Sequence, residues 1–247
     1  VLAMGTALTL TGCIDETFPE SSTVTEDQMS AAGLSSAVNG MSAQYVQGYL
    51  VYGEQVHETD MAYPQFMIAM TEMMGDMYAL GSNTGYDWYR TYNTMDRNMA
   101  GSSYFSWLPW RTLYMFVKGA NDAIKTYKAI EDPIDDDKNY AAMAYAYRAH
   151  DYYLLTVLFE PVANKYTDCS KVLGLTVPIV TEETTEEEAA NNPRATHDAM
   201  TEFILSDLNT AEQLFTETGY KGKDRTAPNL AVVYGPTAKV YRWDQNY

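Results

Sequence analysis

Cysteine is almost absent: Cys13 and Cys169 are the only two among 247 residues. That excludes a disulfide scaffold and a metal centre built from several thiolates. Positive charge is also scarce, with 16 Lys and Arg against 33 Asp and Glu and a formal net charge of −17. Such a surface repels nucleic-acid phosphates and anionic headgroups, whereas a neutral ligand such as a sugar feels no net field. Only three histidines occur, His57, His150 and His197, and no His-x3-His pair exists. Glu54, His57, Glu58 and Asp60 could share a polar helix face, which reads as solvated rather than metal-binding. Asp135-x-Asp137-x-Asn139 begins like a calcium loop, but Tyr140 replaces the required glycine and Ala146 the terminal glutamate. No glycine-rich phosphate loop and no Gly-x-Ser-x-Gly elbow is present. A carboxylate pair for glycoside hydrolysis would be a tertiary feature, and nothing in the sequence points to one. The expectation is a non-enzymatic protein with no cofactor and no metal.

What is present is enough apolar material, 46% of the chain, to bury a sizeable core. The first residues, Val1 to Leu10, read as the rear of a signal-peptide apolar region and are too short to span a bilayer, which takes about 20 residues. Leu10-Thr11-Gly12-Cys13 follows and looks like a bacterial lipobox, with small residues before a cysteine that accepts diacylglycerol. Cys13 is therefore the expected lipidation site, and the acidic pair Asp15-Glu16 resembles a surface-export signal. Residues 14–25 read as a tether rich in Ser, Thr, Glu and Pro. Residues 26–247 read as the body, and the abrupt ends suggest a fragment of something longer. Cys169 is expected to be merely structural.

Period-3.6 patterning dominates the body. Thr25-Glu26-Asp27-Gln28 looks like a capping box, with Leu34, Val38, Met41, Tyr45 and Tyr49 behind it on one face. Met67, Met70, Met74 and Met77 make a second stripe, best read as adaptable core filling. Trp107, Trp110, Tyr114, Val117, Asn121 and Ile124 form one seam toward a neighbour. Asp135, Asp136 and Asp137 suit a helix N-terminus, and Tyr140, Ala144, Tyr147, Leu154 and Leu158 continue that helix until Pro161. Residues 162–194 are expected to be irregular, with a strand-like run from Leu173 to Val180 and a solvated acidic loop from Glu182 to Glu188. Thr196 opens a helix carrying Met200, Ile204, Leu208, Ala211 and Phe215, and a last helix near Pro228 is expected to break at Gly235-Pro236. The fold class is mostly α: a tetratricopeptide-like helical repeat scaffold with irregular loops and few short strands.

Arg148 is expected to pair with Asp207 or Asp151 as part of the scaffold, Asn121 to hydrogen-bond between helices, and Asp207 to brace a helix end. The richest local supply of aromatic rings is Tyr86-Asp87-Trp88-Tyr89-Arg90-Thr91-Tyr92-Asn93. Its aromatics do not fit one helical face, so some should be exposed. Trp88, Tyr89, Arg90 and Tyr92 are the candidate ligand residues, with Asp76 a weaker addition.

Four motifs in order carry a family resemblance. They are the lipobox, then Trp110-x3-Tyr114-x2-Val117-x3-Asn121-x2-Ile124, then Ala142-x-Ala144-x3-Arg148-Ala149-x2-Tyr152-x-Leu154, and finally Pro193-Arg194 ahead of Phe203-Ile204-Leu205-Ser206-Asp207-Leu208-x2-Ala211. Together they resemble the SusD/RagB family of outer-membrane nutrient-binding lipoproteins, over residues 10–243. Two departures are the stretch Leu158-Phe159-Glu160-Pro161, which lacks the glycine common in the family before its proline, and the Gly235-Pro236 interruption. The resemblance implies a chain longer than this one, lipid-anchored in the outer membrane and facing the exterior. It also implies a protein that captures oligosaccharide or polysaccharide and delivers it to a SusC-like TonB-dependent transporter without catalysis. The competing readings are an envelope interaction protein that binds no ligand and, further off, a surface glycoside hydrolase.

Overall fold

The computed structural model describes residues 26–47, 50–51, 54–55, 104–165, 167–222 and 227–244. The described part is mostly helical. Helix α1 spans Glu26–Gln47, broken at Gly33, whose φ of 79° suits a residue without a Cβ. Strands β1 (Leu50–Val51) and β2 (Glu54–Gln55) form a two-residue antiparallel ladder. Helix α2 covers Tyr104–Lys128, α3 Asp135–Phe159, α4 Glu186–Ala190, α5 His197–Thr218 and α6 Leu230–Asp244. Glu54 thus lies in a strand, which corrects the expected polar helix face with His57, Glu58 and Asp60. Those three residues, the Met67–Met77 stripe and Thr25 lie outside the described residues.

Helix α3 is the centre of the molecule, packed by α1, α2, α5 and α6. Its composition explains the position. Ala141, Ala142, Ala144, Ala146 and Ala149 are all buried, so neighbouring helices can approach its backbone closely. Tyr152, Leu154 and Leu155 are buried as well, and little of the helix is left to face water. At its start the Asp137 carboxylate accepts from the Ile134 N–H at 3.1 Å, the use expected for an acidic first turn. At its end Glu160 is extended (ψ 122°), as the following Pro161 demands.

Helix α5 follows its sequence pattern closely. Met200, Ile204, Leu208, Ala211 and Phe215 are all buried against the core. Thr196 caps the start by accepting from the Ala199 N–H at 3.2 Å, and Gly219 closes the end in the left-handed region at φ 67°. On α1, Leu34, Val38 and Met41 are buried as the spacing predicts, and Tyr45 stacks on Phe116 at 4.3 Å.

Three expectations need correction. Helix α6 runs through Gly235-Pro236 without a break. Pro236 removes one backbone hydrogen bond, to Val232, but Val232 is exposed, so water can serve its carbonyl. Val233, Val240 and Trp243 are meanwhile buried and hold the helix down. The acidic run is not a uniform loop: Glu186, Glu187 and Glu188 open the short α4, capped by Thr185, and Glu182 is buried. The run from Leu173 to Val180 makes no ladder, only an isolated antiparallel bridge between Leu175 and Thr196. Cys169 is half-buried beside this run, its thiol directed at the Val162 carbonyl at 3.6 Å.

A buried polar node closes the far end of the bundle. The Glu160 carboxylate accepts from His197 Nδ1 at 2.9 Å and from Trp243 Nε1 at 3.0 Å. It thereby joins the ends of α3 and α6 to the start of α5, inside a stretch where the sequence departs from the family pattern.

Candidate functional site

The ligand candidates Asp76, Trp88, Tyr89, Arg90 and Tyr92 lie outside the described residues, and so does Cys13. The described residues resume with α2 at Tyr104.

A strap of chain, residues 175–181, crosses α2 and α3. Its start pairs with the Ala195 backbone (the Thr176 N–H donates to the Ala195 carbonyl at 2.8 Å), but beyond Val177 no sheet satisfies its backbone. Buried peptide groups need partners, and here side chains provide them. Tyr114 Oη donates to the Pro178 carbonyl at 2.7 Å, and Asn121 Nδ2 donates to the Val180 carbonyl at 3.0 Å. The Tyr152 hydroxyl accepts from the Val180 N–H at 2.7 Å and donates to the Val180 carbonyl at 2.9 Å. Asn192 Nδ2 donates to the Ile179 carbonyl at 2.5 Å. Arg194 donates to the carbonyls of Phe159 and Thr176. Tyr114, Asn121, Tyr152 and Arg194 are all residues of the recurring motifs. Their shared task is to hold one strap, which the spacing of the α2 seam did not reveal.

Under the strap lies an ionic hub. Arg148 Nε and Nη2 donate to the two oxygens of Asp207 at 2.7 and 2.8 Å. Its Nη1 donates to Asn121 Oδ1 at 2.8 Å and to Glu182 Oε2 at 2.5 Å. The three charged side chains are only 4–6% exposed, and Glu182 also takes the more exposed Lys128 ammonium at the rim of the hub. Asp207 therefore partners Arg148 and does not brace a helix end. Asp151 is not an Arg148 partner; it accepts from Tyr45 Oη and lies 3.6 Å from His150 Nδ1. Burial works against the guanidinium, but the Asp207 and Glu182 carboxylates outweigh it and hold the Arg148 pKa above its ordinary value. Burial likewise works against ionised Glu182, yet Lys128 and Arg148 hold its carboxyl below the usual range. Burial, aided by the Asp207 and Asp151 charges, pushes the Tyr152 phenol up against the Val180 hydrogen bond and Arg148. With four of the five guanidinium N–H groups committed to Asp207, Asn121 and Glu182, the hub acts as scaffold.

Between α2 and the strap opens a groove of about 530 Å3. Trp110, Tyr114 and Val117 line its α2 side together with Lys118, Asp122 and Lys125. Thr181, Thr184 and Ala189 line the opposite side. Trp110 is half-buried, edge-on to Phe159 at 5.0 Å and tilted against Tyr114 at 5.0 Å. Among the described residues, no group of three or more His, Cys, Asp or Glu side chains is placed to hold a metal ion. Among them, too, no helix is long and apolar enough to cross a membrane.

The profile of a SusD-like family, described as "Starch-binding associating with outer membrane", matches residues 25–242. The chain belongs to this family. Among solved structures, this SusD-like chain is similar to a SusD-like carbohydrate binding protein from Bacteroides vulgatus, at 21% identity and TM-score 0.67, covering 87% of this chain and 42% of that one. It is also similar to a SusD superfamily protein from Bacteroides thetaiotaomicron, at 20% identity and TM-score 0.59, covering 91% of this chain and 44% of that one. A third is surface glycan-binding protein A from Bacteroides fluxus, at 18% identity and TM-score 0.53, with 86% and 40% covered. No curated protein matches the SusD-like chain. It spans less than half the length of these solved relatives, and at such identities the likeness establishes the fold.

Proposed function

We propose that this chain is part of a non-catalytic, cell-surface carbohydrate-binding lipoprotein. In this reading Cys13 carries the lipid anchor in the outer membrane, and the protein captures oligosaccharide for a SusC-like TonB-dependent transporter. The observation that carries the reading is the family match over residues 25–242, in a family described by starch binding and outer-membrane association. Two of the solved relatives bear carbohydrate- or glycan-binding names, which agrees with it.

The physical argument runs the same way. A chain of net charge −17 suits a neutral ligand, and a rigid bundle whose charged groups are internally paired suits presentation of rings rather than proton transfer. Trp88, Tyr89, Arg90 and Tyr92 would supply flat faces and forked donors for sugar C–H surfaces and hydroxyls, with Asp76 as an acceptor.

Affinity electrophoresis in gels cast with soluble starch, laminarin or dextran tests this. The protein is retarded in at least one gel, and Trp88→Ala weakens that retardation about fivefold, the effect of losing one stacked ring. Retardation unchanged by Trp88→Ala discards the cluster as the site. Free migration in all three gels overturns carbohydrate capture. Cys13→Ser is expected to move the protein from the membrane to the soluble fraction, and retention there would remove the anchor.

A further inference from the structure

We infer that the groove between α2 and the strap is a second contact site for neutral oligosaccharide, separate from the Trp88–Tyr92 cluster. This inference rests on the carbohydrate-binding reading and extends it to a second place on the molecule, where Trp110, Tyr114 and Val117 of the α2 motif meet Thr181, Thr184 and Ala189.

Size comes first. About 530 Å3 lies within the range of small-molecule clefts, which is about 300–1,000 Å3. The walls then fit the chemistry of a sugar. Trp110 and Tyr114 provide aromatic surface, Val117 an apolar floor, and Thr181 and Thr184 hydroxyls that can both donate and accept. By contrast, the groove along α5, lined by Asp198, Glu202, Asn209 and Asp244 among others, has no aromatic wall.

The charges select a neutral ligand. On the α2 wall the Lys118 ammonium is ion-paired with Asp122 at 2.5 Å, and Lys125 stands beside that pair. The opposite side leads into exposed Glu183, Glu186, Glu187 and Glu188. With Lys118 paired in this way, and Lys128 paired with Glu182 and Glu183, neither wall offers an ion a concentrated charge of one sign. A sugar hydroxyl accepts from an ammonium on one side and donates to a carboxylate on the other, so a polyol satisfies both.

The groove also arrives preformed. The strap that makes its far wall is fixed by Tyr114, Asn121 and Tyr152, and by the Arg148–Glu182 contact beneath. A ligand need not order that wall, which lowers the entropy cost of binding.

The test fills the groove without touching the core. Ala189 is exposed on α4 and lines the opening, so Ala189→Trp blocks it. Lys118→Ala removes a rim donor. Retardation is compared in gels cast with soluble starch, laminarin or dextran, for the wild type, Trp88→Ala, Ala189→Trp, Lys118→Ala and the Trp88→Ala/Ala189→Trp double variant, with thermal melting as a check on folding. The expected result is a loss of about fivefold in Ala189→Trp, a smaller loss in Lys118→Ala, and a further loss in the double variant beyond Trp88→Ala alone. If both groove variants melt like the wild type and are retarded equally, the groove is overturned while carbohydrate capture stands. If the wild type migrates freely in every gel, both readings fall together.

Discussion

Arg148 and Asp207, 59 residues apart in sequence, meet as two parallel forks with contacts of 2.7 and 2.8 Å. Because the pair is buried, its stability contribution is asymmetric. Removing both charges can be nearly neutral, whereas removing one strands the other without water. Arg148→Ala leaves Asp207 and Glu182 uncompensated and is expected to cost about 3–5 kcal/mol in urea denaturation. Arg148→Lys keeps the charge but loses the fork, and should fall between the wild type and the alanine variant. An alanine variant within about 1 kcal/mol of the wild type would show that water screens the hub.

Glu182 connects that hub to acid stability. Burial opposes its ionisation, yet Lys128 and Arg148 hold its folded carboxyl below the ordinary glutamate value of 4.5. Its contribution is therefore fully present above pH 4.5 and disappears as the pH falls through the lower folded value. Glu182→Gln should be less stable at neutral pH and should lose less on acidification below 4.5. Parallel melting curves for the two proteins across that window would remove Glu182 from the account.

Asp151 acts in the opposite sense. Burial raises its carboxyl above 3.8, with His150 and Tyr45 pulling the other way. The folded state then holds its proton more tightly than the unfolded chain, so this contribution is present below pH 3.8 and declines as the pH rises through the folded value. Asp151→Asn, which keeps an acceptor for Tyr45 without the charge, should flatten that decline in Tm measured from pH 4 upward. An unchanged slope would refute the assignment.

Pro236 is a local fault in an otherwise regular helix. Pro236→Ala restores a backbone donor to the Val232 carbonyl and relieves the ring's clash with it. The expected gain is about 1–3 kcal/mol, read as a higher urea midpoint with an unchanged slope. Loss of stability on this substitution would mean that the ring's own packing matters more than the hydrogen bond.

Much of this framework was legible in the sequence because helices bury residues at fixed spacing. The α5 stripe from Met200 to Phe215, the acidic first turn of α3 and the Arg148–Asp207 pair all follow from local pattern or from motif residues seeking partners. The strap was not legible. Its run from Leu173 to Val180 has strand composition, but its backbone is satisfied by Tyr114, Asn121 and Tyr152 from helices distant in sequence, which no periodicity encodes. Glu182 looked like one more solvated acid in a charged run; only the fold brings Arg148 and Lys128 to it. The α2 seam was read correctly as a face toward a neighbour: Trp110 and Tyr114 meet Phe159 and Tyr152 of α3, and Tyr114 and Asn121 hold the strap as well. The groove was missed because its walls come from two segments, and Trp110 and Tyr114 were counted as core.

The Glu160 carboxylate sets how the far end of the bundle comes apart. Since it holds the Trp243 indole and the His197 ring at once, the last turn of α6 cannot fray by itself. Releasing Trp243 strands a buried carboxylate, so α6 lets go only when the ends of α3 and α5 loosen with it. Amide protons in these three stretches should exchange with solvent at a common rate, as one cooperative unit, while the Pro236 turn exchanges faster.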